Sequence, residues 1–343
     1  MQDQFFLPLP ELLPHDRAEF AAAATEMTAR GRGIADLNVA SQGFSVFVED
    51  MRALCLAGVT MIVDRPAGPG WGSDENEQDR LFGVARVRGD SATILVGALM
   101  LSSAEVLADA WTAGSDVDDA AWRDLLRGVA ATLEFLVADA GGTSAPAVPD
   151  RRGTGARRAE FDPRQRWRLG HRLFYALIQS LTVTLSCFAA ATARANTAAA
   201  EEALRVATAL MRASAASLLF TSDFPASLYT HDVREHVMRP PNTIPGVSGI
   251  QGRDHQVLVG LLRDLRPVFG TMNRTQLPYR EFRAATQHLF ATHEHICAKF
   301  VGPSKPSLLM EARGSSTEES SGVVALRNLT RRRLRLLDGH RDY

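Results

Sequence analysis

The chain has 343 residues, 45% of them hydrophobic, and its 38 basic and 39 acidic side chains leave a formal net charge of -1. This apolar content suffices for a sizeable core, whereas a near-neutral chain lacks the cationic surface that nucleic-acid binding needs. The sequence has neither an unbroken apolar run of about 18 residues nor a charged segment before an apolar stretch near its start. We therefore expect no nucleic-acid partner, no membrane span, no signal peptide and a cytoplasmic location.

The residue types favour helix over strand. Alanine is abundant and runs of β-branched residues are short, so we predict a mainly α fold with a single helical domain over residues 1–343. Val59–Val63 and Thr93–Val96 are the only stretches that we consider as strands. The three cysteines are Cys55, Cys187 and Cys297. This odd and sparse set does not form a disulfide framework.

Helices and loops alternate in the first part of the chain. The first helix is predicted to begin at Asp16 and to pass through Phe20–Met27. A second covers Phe44–Leu56, and the Pro/Gly-rich segment 65–76 is a surface loop. A third helix follows Asp116. Its apolar face has helical spacing and contains Trp122, Leu125, Leu126, Val129, Leu133 and Leu136.

A change in composition separates this part from the next group of helices. Residues 141–161 are rich in Gly, Pro, Ser and paired arginines, which predicts a long mobile loop between helical flanks. Asp162 and Pro163 then provide a cap and a first-turn proline for a long helix to about Ala195. Thr197 is the expected cap of the following helix.

The C-terminal part continues with shorter helices. We predict helices over 223–238, 253–266 and 279–300, with a Gly/Pro-rich loop at 242–251 and disorder at 314–322. A basic amphipathic helix follows, with leucines among Arg331, Arg332, Arg333 and Arg335. Such a run is typical of a solvated helix face or of a contact in a homodimer.

The helix at 279–300 has one face that could hold a cofactor. His293 and Cys297 are one turn apart on it, whereas His288 and His295 are on the opposite, solvated side together with Glu281. The remaining members of the first face are Phe282, Thr286, Leu289 and Phe300. A core histidine beside a buried cysteine is the commoner meaning of this spacing, and a metal or porphyrin site is the alternative.

His255 is a second candidate ligand. It begins an apolar stripe that continues through Leu258, Leu262, Leu265 and Phe269, near the N-terminus of its helix. A helix N-terminus disfavours imidazolium and so favours the neutral ring that binds metals, although a histidine bonded to the backbone is more frequent there. His255, His293 and Cys297 could also hold zinc. We regard zinc as the weaker alternative, because neither helix face carries a catalytic carboxylate.

The order and spacing of these residues resemble a known family. The usual Cys-x-x-Cys-His heme attachment is absent, but His-x37-His-x3-Cys is present from His255 through His293 to Cys297. This pattern is similar to that of the histidine-ligated heme-dependent aromatic oxygenases, and most closely to their 3-methyl-L-tyrosine hydroxylases of saframycin biosynthesis. The resemblance implies heme with His255 and His293 as axial, catalytic ligands and a single thioether to Cys297. It also implies the helical fold of tryptophan and indoleamine 2,3-dioxygenases, with long loops.

A second short motif resembles the tryptophan 2,3-dioxygenases. Ser248-Gly249-Ile250-Gln251 is similar to their Ser-Gly-Phe-Gln segment, which lies on the substrate side of the heme. In that family an upstream Arg-Glu pair takes the carboxylate of the amino acid. The resemblance implies substrate binding by Ser248, Gly249 and an arginine, either Arg234 or Arg239. Surface ion pairs would explain the two arginines equally well.

The implied activity is that of a heme peroxygenase or monooxygenase. It would hydroxylate 3-methyl-L-tyrosine ortho to the phenol and give 3-hydroxy-5-methyl-L-tyrosine, as in tetrahydroisoquinoline antibiotic biosynthesis. No Gly-x-Gly-x-x-Gly fingerprint is present, so the oxidant is hydrogen peroxide, or dioxygen with a small reductant. We expect His255 to leave the iron during catalysis, because Cys297 tethers the region of His293. The alternatives are a bis-histidine heme electron-transfer protein, an L-tyrosine 3-hydroxylase and a helical protein without a cofactor.

One polar cluster stands outside these motifs. Arg168, His171, Arg172, Tyr175 and Gln179 occur within the otherwise apolar helix that begins near residue 164. They could line a pocket for a phenol or for heme propionates. The same pattern fits the wet side of an ordinary helix, and this is the interpretation that we adopt.

Overall fold

The computed structural model describes residues 5–21, 23, 77–137, 161–238, 252–302 and 322–338. Several predicted features lie outside these residues: Cys55, Val59–Val63, the helix Phe44–Leu56 and the loops at 65–76 and 242–251. So do nearly all of the loop 141–161 and of the segment 314–322.

Long helices dominate the described residues, which confirms the mainly α class. The long helices are α2 (Ser91–Ala113), α3 (Asp119–Leu136), α4 (Pro163–Ala193), α5 (Thr197–Thr221) and α8 (Leu277–Val301). The shorter ones are α1 (Glu77–Phe82), α6 (Arg253–Asp264), α7 (Arg266–Thr271) and α9 (Gly322–Leu337). Ala226–Leu228, a π-helical turn Tyr229–Arg234 and Glu235–Met238 connect α5 to the part of the chain that precedes α6.

The helix α5 is central, because it packs against α3, α4 and α8. Two glycines allow its close approach. A Cβ atom at Gly170 of α4 would lie 2.1 Å from Thr221 Oγ1, and one at Gly128 of α3 would lie 2.4 Å from Ala213 Cβ. These distances are far below van der Waals contact, so no larger residue fits without moving a helix.

Most helix starts agree with the capping signals in the sequence. Asp162 accepts a hydrogen bond from the Arg164 backbone N–H at 2.9 Å, and Pro163 is the first residue of α4. Asp16 forms a capping box, but the turn that it caps, Arg17–Phe20, is a 3-10 helix. Two predicted helix starts are displaced by one or two residues. Asn196 rather than Thr197 caps α5, and the helix expected after Asp116 begins at Asp119 with Asp118 as its cap.

The prediction of a strand at Thr93–Val96 is wrong. These residues lie inside α2, which Asp90 caps. A continuous apolar run that is buried on all sides has no periodicity that would separate helix from strand. Within the described residues the strands are β1 (Phe5–Pro8) and β2 (Val84–Val87), which pair in parallel with Phe5 opposite Val84.

A buried charge network ties β2 to the start of α6. Arg86 donates from Nε to Asp79 Oδ2 at 3.1 Å and from Nη1 to Asp254 Oδ1 at 3.0 Å. Gln179 of α4 donates to the same Asp254 oxygen at 2.7 Å. Burial alone lowers the pKa of Arg86, but the two carboxylates outweigh it and raise this pKa. The network therefore fixes the residue that directly precedes His255.

Three of the described helices, α2, α4 and α5, are long and apolar enough by length and composition to cross a membrane. Between 78 and 83% of their most apolar windows is buried inside the protein. Their apolar character thus serves packing between helices. The expected absence of a membrane stays a prediction.

Candidate active site

A cavity of about 120 Å³ lies among α4, α5, α6, α8 and α9. Its walls are mostly apolar. They include Phe174, Ile178, Met211, Leu218, Leu258, Val259, Leu262, Leu289, Phe290, Leu329 and Leu337. The polar side chains that line it are His171, Tyr175, His255, Thr286, His293 and Arg333. An apolar cavity with a few polar groups is the usual form of a ligand or cofactor site.

His255 and His293 line this cavity from different helices, so the fold brings together the two predicted ligands. His255 is the third residue of α6, and its buried Nε2 atom has no hydrogen-bond partner. Burial, with smaller contributions from Arg333 and His293, lowers the pKa of His255 to about 4. Its ring is therefore neutral at pH 7, with a nitrogen that lacks the partner a buried polar atom normally has.

The helix α8 presents His293 and Cys297 as its periodicity predicts. Burial lowers the pKa of His293 and raises that of the Cys297 thiol to about 11. His288 and His295 are exposed on the other side of the helix, as its spacing predicts. Cys297 is partly buried one turn beyond the cavity wall, as a protonated thiol at neutral pH.

The zinc alternative is wrong. Within the part of the chain that the structure describes, no three His, Cys, Asp or Glu side chains are grouped so that they could share a metal ion.

His171 is a cavity residue that we had interpreted as solvated. Its Nδ1 atom lies 2.7 Å from the Trp167 carbonyl oxygen, which can only accept, so Nδ1 carries the proton. Burial and, to a smaller extent, His293 lower the pKa of His171 to about 4. The Nε2 atom of this neutral ring is thus a hydrogen-bond acceptor. Stacking on Phe82, with ring centroids 4.3 Å apart, fixes the plane of the ring.

Arg172, Tyr175 and Gln179 of that polar cluster are also buried and Arg168 is partly buried, which contradicts the expected wet helix face. Arg172 donates to the Phe82 carbonyl oxygen at 2.8 Å, and Gln179 belongs to the Arg86 network. Tyr175 lies 5.8 Å below the Arg86 guanidinium, and burial raises its pKa above the usual range. Polar side chains within an apolar helix were the sequence signal for this buried cluster. Their hydrogen-bond partners lie far away in the sequence, so the burial could not be predicted.

Of the predicted substrate residues, only Arg234 lies in the part of the chain that the structure describes. Arg234 lies in the π-helical turn, partly buried, and is not among the residues that line the cavity. Arg239, Ser248 and Gly249 lie outside the described residues, so their roles stay predictions. Arg333 does line the cavity, although its helix had been interpreted as a solvated face or dimer contact. Its neighbours Arg331, Arg332 and Arg335 are exposed, in agreement with that interpretation.

Comparison with known proteins shows the enzyme class and the family of this chain. The family model of the SfmD 3-methyl-L-tyrosine peroxygenases matches residues 6–286. A 3-methyl-L-tyrosine peroxygenase of Streptomyces lavendulae is 32% identical over 330 residues, 93% of this chain and 87% of that protein. A crystal structure of SfmD, reduced by soaking with sodium hydrosulfite, matches with a TM-score of 0.67 and 28% identity. The match covers 85% of this chain and 98% of that one.

The chain is therefore an enzyme of the oxidoreductase class. It belongs to the SfmD 3-methyl-L-tyrosine peroxygenase family. The family predicted from the His-x37-His-x3-Cys pattern is thereby confirmed. The wider likeness to the tryptophan 2,3-dioxygenases stays a prediction.

Proposed function

We propose that this protein is a heme peroxygenase that hydroxylates 3-methyl-L-tyrosine ortho to its phenol, giving 3-hydroxy-5-methyl-L-tyrosine. The observation that carries the proposal is the pair of neutral imidazoles, His255 and His293, in one apolar cavity. The name of the Streptomyces relative supports the substrate and a peroxide oxidant. The natural setting would be the biosynthesis of tetrahydroisoquinoline antibiotics of the saframycin type.

The residues present suit a heme. A porphyrin supplies four of the ligands of its iron, so the protein needs to provide at most two. His255 and His293 would be these ligands, and both are held in the deprotonated form that binds a metal. The unpartnered Nε2 atom of His255 and the leucine-rich walls fit the iron and the macrocycle, respectively. When bound, the heme supplies the redox chemistry that transfers oxygen from peroxide to the ring.

Cys297 would anchor the heme through one thioether. Its protonated thiol adds across a vinyl group, so that a carbon–sulfur bond forms and the thiol hydrogen passes to the neighbouring carbon. Cys297 is one turn from His293 on the same helix, so the anchor would also restrain the region of that ligand. His255 has no such restraint, so we expect it to be the more weakly held of the two histidines and the one that is released during turnover.

His171 would handle the phenol. Its Nε2 atom would accept a hydrogen bond from the phenol O–H and so orient the ring of the substrate, while Nδ1 remains bonded to the Trp167 carbonyl oxygen. A neutral ring at pH 7 is required for this role, and the low pKa of His171 provides it. The apolar walls exclude water from the ring of the substrate.

An absorption spectrum of the purified protein, followed by acidic acetone extraction, tests the cofactor. We expect a Soret band and a pigment that stays with the denatured wild-type chain but is extracted from Cys297→Ala. Cys187→Ala is the matched control, because Cys187 is a buried free cysteine that does not line the cavity. A colourless protein that takes up no heme would refute the proposal. A pigment that is extracted from the wild type would refute only the thioether to Cys297.

Turnover tests the activity. With hydrogen peroxide, we expect 3-methyl-L-tyrosine to gain one oxygen atom. Comparison with L-tyrosine identifies a tyrosine 3-hydroxylase, since one methyl group in an apolar pocket changes kcat/KM by roughly 10- to 200-fold. Reversible reduction without turnover of either amino acid would identify the electron-transfer alternative. Replacing His255 and His293 separately shows which of the two ligands oxygenation requires.

A further inference from the structure

We propose that Arg333 binds a carboxylate within the cavity, either a propionate of the heme or the α-carboxylate of the amino-acid substrate. This inference rests on the proposed function. It assigns a task to a residue of α9, a helix that lies beyond the residues matched by the family model.

The register of α9 directs Arg333 to the cavity. Leu329 and Leu337 precede and follow Arg333 by one turn each, and all three residues line the same space. Contacts with α8 hold the helix in place. Tyr279 donates from its hydroxyl group to the Leu337 carbonyl oxygen at 3.0 Å, and Arg283 Nε lies 2.7 Å from Asp338 Oδ1.

Arg333 is partly buried, whereas the fully buried arginines of the described residues all have partners. Arg172 donates to the Phe82 carbonyl oxygen, and the other two have carboxylate partners. Arg86 is paired with Asp79 and Asp254, and Arg166 with Asp109 and Asp223.

The Nε atom of Arg333 is buried and has no hydrogen-bond partner. Among the ion pairs of the described residues, none includes Arg333. Burial and the charges of Arg263 and Arg332 lower its pKa. A partly buried cation that lies near other cations and has no anion as a partner leaves a place for one from outside the chain.

A carboxylate is the anion that fits. The planar guanidinium group forms two parallel hydrogen bonds to a carboxylate, and the partners in the proposed reaction carry this group. Arg333 also influences the pKa of His255, which places the guanidinium group near the proposed iron ligand. Arg234, the candidate suggested by family resemblance, does not line the cavity.

The test uses Arg333→Met, which removes the charge, Arg333→Lys, which retains it, and Arg335→Met, a control at an exposed position of the same helix. Calorimetric titration compares 3-methyl-L-tyrosine with the amine that lacks its carboxylate. Spectral titration of the apoprotein compares heme with heme dimethyl ester, in which both propionates are masked.

If the substrate carboxylate is the partner, Arg333→Met weakens binding of the amino acid by roughly 10- to 100-fold and leaves the amine unchanged. If a propionate is the partner, the variant weakens heme binding to a similar extent and leaves the dimethyl ester unchanged. Arg333→Lys retains part of the affinity in either case and keeps the test usable if the methionine variant does not fold.

The proposal is overturned if Arg333→Met matches Arg335→Met for all four ligands. It is also overturned if a folded variant loses all four equally, because that result reports damage to the cavity. A wild type that takes up no heme refutes the proposed function, whereas the comparison of amino acid and amine still decides the role of Arg333. A wild type that binds neither heme nor amino acid overturns both.

Discussion

Replacing Arg86 with methionine should destabilise the protein strongly, because it leaves two carboxylates buried without a cation. The side chain of Arg86 is 2% exposed, and those of Asp79 and Asp254 are 3% and 1% exposed. Removing one partner from a buried ion pair costs about 3–5 kcal/mol. That is a large share of the roughly 5–15 kcal/mol that stabilises a typical folded protein.

An exposed ion pair provides the control. Arg17 lies 3.3 Å from Glu202, with side chains that are 36% and 43% exposed, so Arg17→Met should cost about 0–1 kcal/mol. Urea unfolding, followed by circular dichroism, measures both variants. A loss of about 4 kcal/mol lowers the midpoint by more than about 1 M urea at ordinary slopes.

The cost of Arg86→Met in stability should depend on pH. Burial raises the pKa of Asp79 even with Arg86 present, so this carboxyl favours the folded state when protonated and opposes it when ionised. Without Arg86, the destabilisation should shrink as the pH falls from 7 towards about 5. Equal costs for Arg86→Met and Arg17→Met, or a cost that does not change with pH, would refute the reasoning.

Two further predictions concern the helices around the cavity. Gly170→Ala should cost about 1–3 kcal/mol, because its Cβ would lie 2.1 Å from Thr221 Oγ1. Gly260→Ala should stabilise α6 by about 0.5–1 kcal/mol, because nothing lies within 4 Å of the added Cβ atom. Urea unfolding of both variants measures the contrast. A loss of stability at both positions would contradict it. The apoprotein should also lose stability from about pH 6.5 to about 4, since its unfolded chain protonates His171 whereas burial keeps that ring neutral in the fold. His171→Phe should reduce the slope of the free energy of unfolding against pH by up to about 1.4 kcal/mol per pH unit. An unchanged slope between pH 7 and 5 would show that His171 does not cause this loss of stability.

Local signals in the sequence identified the helices that have one buried face. The caps Asp162 and Asp16 and the stripe on α3 rest on spacings of a few residues, so they can be predicted without knowing the fold. The helix α2 could not be distinguished from a strand at Thr93–Val96, because it is buried along most of its first half. The strand β2 was missed because Arg86 resembles a surface residue until Asp79 and Asp254 surround it.

The difference between local sequence signals and contacts made by packing also explains which parts of the candidate site were predictable. Helical phase alone grouped His293 with Cys297 and excluded His295, and family spacing added His255. His171 and Arg333 were missed, since a polar side chain on a helix is usually solvated. Only the packing of α4 and α9 around one cavity shows that His171 and Arg333 line this cavity instead.

The three helices with the length and hydropathy of membrane spans have a consequence for biogenesis. During synthesis, α2 emerges before α4, the helix against which it packs in the folded protein. A nascent chain in this state exposes a stretch that associates with other apolar surfaces, including those of neighbouring chains. Chaperone capacity and growth temperature should therefore govern the yield of folded protein. Heating the finished protein exposes the same stretches and should lead to irreversible aggregation, which makes denaturant the better probe of its stability.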